Sequence, residues 1–164
     1  MCRGDHPRGL AVLSRWPITA STSLAVVSPT HGYPRPFDVE LDLGATHVRC
    51  VVVHLPLERI GDRTTLFTEL AHRLAHLPRP LVVCGDLNAG PDEPLLTRLL
   101  AAGLLDASAS VGPTVPNPDP VVRLDYVLVD SGVRVRSVRR LGERADADGF
   151  LASDHLGIAV ELEL

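Results

Sequence analysis

Short apolar segments separated by turn-forming residues are the feature that most constrains the fold of this chain. The segments are rich in valine and leucine, and several alternate apolar with polar residues, which is the period of a half-exposed β-strand. Glycine, proline and aspartate between them are typical of turns. The pattern predicts strands at residues 10–13, 23–27, 37–43, 46–55, 81–84, 124–129, 133–138 and 156–164.

Helical periodicity occurs in two segments. Residues 62–77 carry four leucines and Phe67 on one helical face, with Asp62 as the predicted N-cap and Pro78 ending the helix. A second helix is predicted to begin near Asp92 and to end before Gly103. Several strands with two helices predict an α+β domain in which helices cover sheet layers.

Composition narrows the class of protein. The 164 residues suffice for one domain with a single sizeable core, and no run of 18 apolar residues occurs, so a membrane span is not expected. All 16 basic residues are arginine, and the net charge is −4. Because proteins that bind nucleic acid usually carry a basic excess, this charge does not favour nucleic acid as a partner. Cys2, Cys50 and Cys84 form no Cys-x-x-Cys pair, which is typical of a reduced, cytoplasmic protein. Oligomeric state is left open.

Polar side chains stand at the ends of several apolar strands, where they project into a cleft or solvent. Asp86 and Asn88 lie two residues apart and therefore point the same way on an extended segment. The complete set is His54, Asp86, Asn88, Asp125, Asp154 and His155. Asp86 in Gly-Asp-x-Asn also suits a simple turn, and His54 also suits a satisfied edge residue.

This set of side chains suits the hydrolysis of a phosphate ester. Carboxylate oxygens are the ligands that Mg²⁺ or Mn²⁺ prefers, and the cation neutralises charge on the phosphate. A histidine beside a carboxylate can take a proton from water, and an amide can stabilise the transition state. A serine nucleophile is disfavoured because no Gly-x-Ser-x-Gly motif occurs.

Six motifs in order resemble the endonuclease/exonuclease/phosphatase superfamily. They are Gly9-Leu10-Ala11-Val12-Leu13-Ser14-Arg15, Val53-His54-Leu55, Gly85-Asp86-Leu87-Asn88, Pro113-Thr114, Arg123-Leu124-Asp125-Tyr126 and Ser153-Asp154-His155. The resemblance implies an incomplete four-layer αββα sandwich of two mostly antiparallel sheets flanked by helices, with the site at one rim. It also implies an Mg²⁺-dependent (or Mn²⁺-dependent) phosphodiesterase or phosphomonoesterase, acting on a phosphate-ester substrate.

The resemblance also implies a role for each site residue. Asp154 resembles a metal ligand. His155 resembles the histidine that acts as general base or contacts the scissile phosphate, and Asp125 resembles the residue that orients its ring. Asp86 would position or activate the attacking water, and Asn88 would bind phosphate oxygens. His54 resembles the second family histidine, which contacts the phosphate and can act as an acid toward the leaving group. Whether Asp86 or His155 takes the proton stays open.

The resemblance is incomplete at the N-terminus. The family pattern has a strand ending in asparagine and then a Gln-Glu pair before the Leu13-Ser14-Arg15 segment, and residues 1–8 contain neither. We therefore expect 1–8 to be a residual N-terminal segment and 9–164 to be a family domain that lacks its N-terminal strands. The alternatives to an active hydrolase are a noncatalytic fragment of the family and half of a split enzyme that a partner chain completes.

Overall fold

A computed structural model describes residues 2–3, 9–26, 34–57, 63–143, 145–147 and 149–164. Over these residues the chain forms strands and helices in a mixed order. The strands are β1 (Cys2–Arg3), β2 (Ala11–Val12), β3 (Ile18–Ser23), β4 (Phe37–Asp42), β5 (His47–His54), β6 (Leu81–Asp86), β7 (Leu104–Asp106), β8 (Asp125–Asp130), β9 (Arg134–Leu141) and β10 (Gly157–Glu163). The helices are α1 (Arg63–Ala75) and α2 (Pro94–Leu100).

The main sheet has six strands in the order β3-β4-β5-β6-β8-β7. Its pairs are antiparallel except for β5 and β6, which run parallel. A parallel pair needs a crossover connection, and α1 lies between these two strands in the chain. Strands β9 and β10 form a separate antiparallel ribbon, and β1 pairs with β2.

Both helices pack on one face of the main sheet. The predicted apolar stripe of α1 is buried against alternate residues of β5, β6 and β8, and Leu96 and Leu99 of α2 join the same core. Side chains on a strand alternate between faces, so the intervening residues form the opposite face. On that face Val129 packs with Val133, and partly buried Val160 comes from the β9–β10 ribbon.

The result is a layered α+β sandwich, as predicted. The main sheet and the β9–β10 ribbon form its two β-layers, and the helices lie on the outer face of the main sheet. Among the described residues, no helix is long and apolar enough to cross a membrane.

The predicted strand at 23–27 is wrong. Strand β3 instead spans Ile18–Ser23, a mostly polar segment at the edge of the sheet, and it is held by its ladder to β4. An edge strand with an exposed face does not require apolar residues. Leu24 and Val26 are buried in the core without being part of a strand. Their apolar character reflects burial, which the pattern cannot distinguish from strand formation.

The remaining differences concern boundaries and two short strands that the pattern does not predict, β1 and β7. Strand β7 has only three residues and follows α2 directly, so it is too short to show a period. Helix α2 begins at Pro94, not near Asp92, because the fixed φ of proline suits the first helical turn. The predicted N-cap of α1, Asp62, lies outside the described residues.

Candidate functional site

Three adjacent strands carry ionisable side chains at one edge of the main sheet. His54 is the last residue of β5 and is the parallel partner of Asp86, the last residue of β6. Asp125 is the first residue of β8 and lies opposite Asp86 in the antiparallel pair. Parallel strands end at the same edge, and an antiparallel neighbour begins there, so the topology brings the three side chains together.

Gly85 sets the closeness of the two parallel strands. It has φ +135°, and a Cβ added at this position would lie 2.0 Å from the carbonyl oxygen of Val53 on β5. Real Cβ atoms do not approach backbone oxygens so closely, so only glycine fits here. The Val53 and Gly85 pair immediately precedes the His54 and Asp86 pair in the ladder.

His155 and Asp125 form a hydrogen-bonded pair. Nδ1 of His155 lies 2.8 Å from Oδ2 of Asp125, with 27% and 20% of the side chains exposed. An ionised carboxylate can only accept, so Nδ1 of His155 donates and Nε2 is left to receive a proton. Burial favours the neutral imidazole, but the hydrogen bond to Asp125 and the surrounding carboxylates outweigh it and raise the pKa of His155.

Asp86 and Asn88 form a compact turn next to this pair. The backbone N–H of Asn88 donates to Oδ1 of Asp86 at 2.7 Å, and Asn88 has φ +48°, a left-handed conformation that asparagine tolerates. Burial raises the pKa of Asp86, and the negative charge of Asp125 adds to this rise. His54 Nε2 lies 3.7 Å from the Oδ2 atom of Asp86.

The side-chain amide of Asn88 is committed within the protein. Its Nδ2 donates to the carbonyl of Leu55 at 2.8 Å and to Oδ2 of Asp86 at 3.1 Å. Both acceptors require a donor, so they fix which end of the amide is nitrogen. An incoming phosphate oxygen therefore competes with Asp86 for one of the two amide hydrogens.

One depression of about 410 Å³ is lined by all six residues that the sequence indicates. Leu57 is the further lining residue, and 52% of its surface is exposed. Sequence reasoning missed Leu57 because an apolar residue just beyond a strand carries no chemical signal. We call this surface the site depression; its lining residues are His54, Leu57, Asp86, Asn88, Asp125, Asp154 and His155.

The oxygen donors of the site depression fit a hydrated hard cation. Asp154 is exposed, and its carboxylate forms a long contact of 3.4 Å between its Oδ1 and the hydroxyl of Ser153. In the described part of the chain, no three His, Cys, Asp or Glu side chains converge closely enough to hold a metal ion by themselves. Mg²⁺ commonly keeps several waters and uses one or two carboxylates together with substrate phosphate oxygens, and the exposed carboxylate of Asp154 fits that requirement.

The comparisons with known proteins agree with this architecture. The model of the endonuclease/exonuclease/phosphatase family matches residues 2–155, which is most of the sequence. The chain therefore belongs to the endonuclease/exonuclease/phosphatase family. A comparison with curated proteins finds no match.

Solved structures share the fold at low sequence identity. A family protein from Leptotrichia buccalis is 18% identical with a TM-score of 0.71, and the match covers 92% of this chain and 64% of that one. D. rerio TDP2, complexed with a single-strand DNA product, is 16% identical with a TM-score of 0.69, covering 90% and 68%. A mannosyl-6-phosphatase from Bacteroides thetaiotaomicron is 18% identical with a TM-score of 0.69, covering 91% and 67%. The chain thus spans less than two thirds of the length of the Leptotrichia protein.

Proposed function

We propose that this protein is a metal-dependent hydrolase of phosphate esters, of the phosphodiesterase or nuclease-like kind. The observation that carries the proposal is the His155–Asp125 hydrogen bond at the wall of a depression that Asp86, Asn88 and Asp154 also line. A histidine held by a carboxylate, next to further carboxylates and an amide, is suited to activating water beside a phosphate.

In the proposed mechanism the protein's own groups position the water and move its proton. Because Nδ1 of His155 is held by Asp125, Nε2 is the atom that takes the proton or contacts the phosphate. Asp86 holds the water, and its raised pKa also makes it a candidate base, so the choice between the two stays open. Asn88 contacts phosphate oxygens by giving up its longer bond, to Asp86.

His54 and Asp154 complete the proposed site. His54 stands beside Asp86 at the strand edge, where it contacts the phosphate or protonates the leaving group. Asp154 would hold an Mg²⁺ or Mn²⁺ ion, with water and phosphate oxygens filling the remaining positions. When bound, the ion neutralises charge on the phosphate.

The second candidate function is a noncatalytic family protein, or half of an enzyme that a partner chain completes. One observation favours it: in the described residues, no three candidate metal ligands converge. A site with so few protein ligands holds Mg²⁺ weakly, which a partner that supplies another carboxylate would correct.

The candidate substrates are phosphate diesters and phosphate monoesters. One structural relative is complexed with a single-strand DNA product and another is a mannosyl-6-phosphatase, so diesters and monoesters are both candidates. The net charge of −4 does not favour tight binding to nucleic acid, whose affinity depends on neutralising phosphates.

Hydrolysis of bis-p-nitrophenyl phosphate and p-nitrophenyl phosphate, with and without Mg²⁺ or Mn²⁺, tests the proposal. We expect metal-stimulated turnover that EDTA abolishes and that Asp154→Ala and His155→Ala remove. Asp92→Ala and His72→Ala, at exposed positions outside the site depression, are the matched controls. Turnover that survives Asp154→Ala and His155→Ala would refute a hydrolytic site here.

Calorimetric titration with Mg²⁺ gives a second readout that needs no turnover. Weak binding that Asp154→Ala abolishes supports the metal site. A parent chain that neither binds the ion nor cleaves either ester supports the second candidate function.

A further inference from the structure

The Pro113-Thr114 motif contains a residue that bridges the two members of the His155–Asp125 pair. Thr114 is completely buried, with 0% of its surface exposed. Its Oγ1 accepts hydrogen bonds from the backbone N–H groups of Leu124 at 3.2 Å and Asp125 at 3.4 Å. Its carbonyl oxygen accepts the N–H of Leu156, the residue after His155, at 2.8 Å. One residue therefore fixes the backbone on both sides of the pair.

The segment that carries Thr114 is itself held firmly. The N–H of Thr114 donates to the carbonyl of Val122 at 2.8 Å, and Val115 forms an antiparallel bridge with Val122. Further along, Asn117 binds the segment that leads to His155. Its backbone N–H donates to the carbonyl of Asp154 at 2.7 Å, and its side-chain amide donates to the carbonyl of Ser153 at 3.0 Å. The segment can thus transmit a fixed geometry to the site.

We propose that Thr114 is a positioning residue that sets the His155–Asp125 hydrogen bond. The proposal rests on the proposed function, because it assigns a role within the same site. The two partners come from distant parts of the chain, β8 and the segment before β10, so their 2.8 Å contact depends on a third element that binds both. Thr114 is that element, through its side chain on one side and its backbone on the other.

Two substitutions separate the hydroxyl from the shape of the side chain. Thr114→Val keeps the volume but removes the acceptor for two partly buried N–H groups, whereas Thr114→Ser keeps the acceptor. With bis-p-nitrophenyl phosphate we expect Thr114→Val to lower kcat by about tenfold to a hundredfold with little change in KM, as misplaced catalytic groups do. We expect Thr114→Ser to retain the kcat of the parent chain.

An NMR readout makes the test independent of turnover. At alkaline pH, long-range ¹H–¹⁵N spectra distinguish an imidazole that carries its hydrogen on Nδ1 from one that carries it on Nε2. The parent chain should show the Nδ1–H form of His155, assigned by its loss in His155→Gln. Thr114→Val should shift the population toward the Nε2–H form, and Thr114→Ser should not. If the parent chain lacks turnover, the proposed function fails while this measurement still decides the role of Thr114.

Ser108→Ala is the matched control for lost stability. Ser108 is also 0% exposed, and its hydroxyl also accepts a backbone N–H from β8, that of Val127 at 3.1 Å. It contacts neither His155 nor Asp125. We expect Ser108→Ala to destabilise the fold, as Thr114→Val does, but to keep both kcat and the Nδ1–H form. The proposal is overturned if Thr114→Val retains both, or if Ser108→Ala loses both to the same extent.

Discussion

Arg63, at the first residue of α1, offers a test of how the turn at Asn88 is held. Only 6% of its surface is exposed, and its Nη2 donates to the carbonyl oxygen of Asn88. Its Nη1 lies 3.4 Å from Oε2 of Glu93, whose side chain is 32% exposed. Its Nε is buried and has no hydrogen-bond partner among the described residues. Arg63→Met removes all three nitrogen atoms together with the guanidinium carbon that lies 5.5 Å from the centre of the Phe67 ring, and it supplies a thioether, which also contacts aromatic rings favourably.

Three effects decide the stability of Arg63→Met. Leaving the carbonyl of Asn88 without its charged donor costs about 1.5–3 kcal/mol. Losing the partly exposed pair with Glu93 costs about 0.5 kcal/mol. Removing the unpartnered Nε recovers about 1 kcal/mol. The free energy of unfolding should therefore fall by about 1–2.5 kcal/mol, and the turn that carries Asn88 should loosen.

Urea denaturation measures the stability change, and hydrolysis of bis-p-nitrophenyl phosphate measures its effect on the site. We expect turnover per folded molecule to fall about tenfold, because Asn88 no longer holds one orientation. Arg49→Met is the matched control. Arg49 also has a buried Nε without a partner in the described part of the chain, but it lies at the other end of β5 and pairs with buried Asp38.

Arg49→Met should lower the free energy of unfolding by about 3–5 kcal/mol, because it leaves the buried Asp38 carboxylate uncompensated. It should therefore be more destabilising than Arg63→Met. Its turnover per folded molecule should be unchanged. An Arg63→Met protein that is as stable as the parent chain, or more stable, would refute the balance of effects given above.

Two further predictions concern the ionisable groups of the site. The pKa of Asp86 is raised in the folded state, so its stabilising contribution is present below its unfolded pKa and is lost as pH rises through its folded pKa. Asp86→Asn should therefore be more stable than the parent chain at neutral pH. A variant that is less stable in urea denaturation would contradict this. The pKa of His155 is also raised, so the parent chain should lose stability as pH rises from about 6.5 through the folded pKa. Asp125→Asn should reduce this pH-dependent loss of stability. It should also lower turnover by about 10³–10⁴-fold, because His155 would adopt the wrong tautomer. If the variant and the parent chain had the same pH profile of unfolding, the result would argue against the His155–Asp125 pair.

Strong local patterns account for the parts of the fold that the sequence predicts. The stripe from Leu66 to Leu74 follows from helical spacing alone, and the valine-rich β5 follows from strand propensity. Strand β3 escaped prediction because its polar residues gain their structure from the ladder to β4, which is a long-range interaction. The strand predicted at 23–27 was wrong because buried residues such as Leu24 and Val26 are apolar whether or not they lie in a strand.

The candidate site also has some residues that local patterns indicate and others whose positions depend on long-range contacts. Asp86 and His155 stand out locally, since each is a charged or titratable group beside an apolar strand. The positions of Leu57, Thr114 and Arg63 around them depend on which segments meet in space. Thr114 lies 41 residues before His155 in the chain, yet its carbonyl oxygen accepts a hydrogen bond from Leu156, the residue after His155. No local pattern carries that information.

The absence of a side chain at Gly85 has a consequence for variation in this protein. The spacing between the tips of β5 and β6 is imposed by main-chain contact, so repacking of the apolar residues beneath it should leave the reach from His54 to Asp86 nearly constant. A saturation library should consequently find that the core valines accept other apolar residues of similar size, whereas position 85 accepts only glycine. New substrate preferences would then have to arise from the rim, such as Leu57, while the ionisable pair at the strand tips keeps its span.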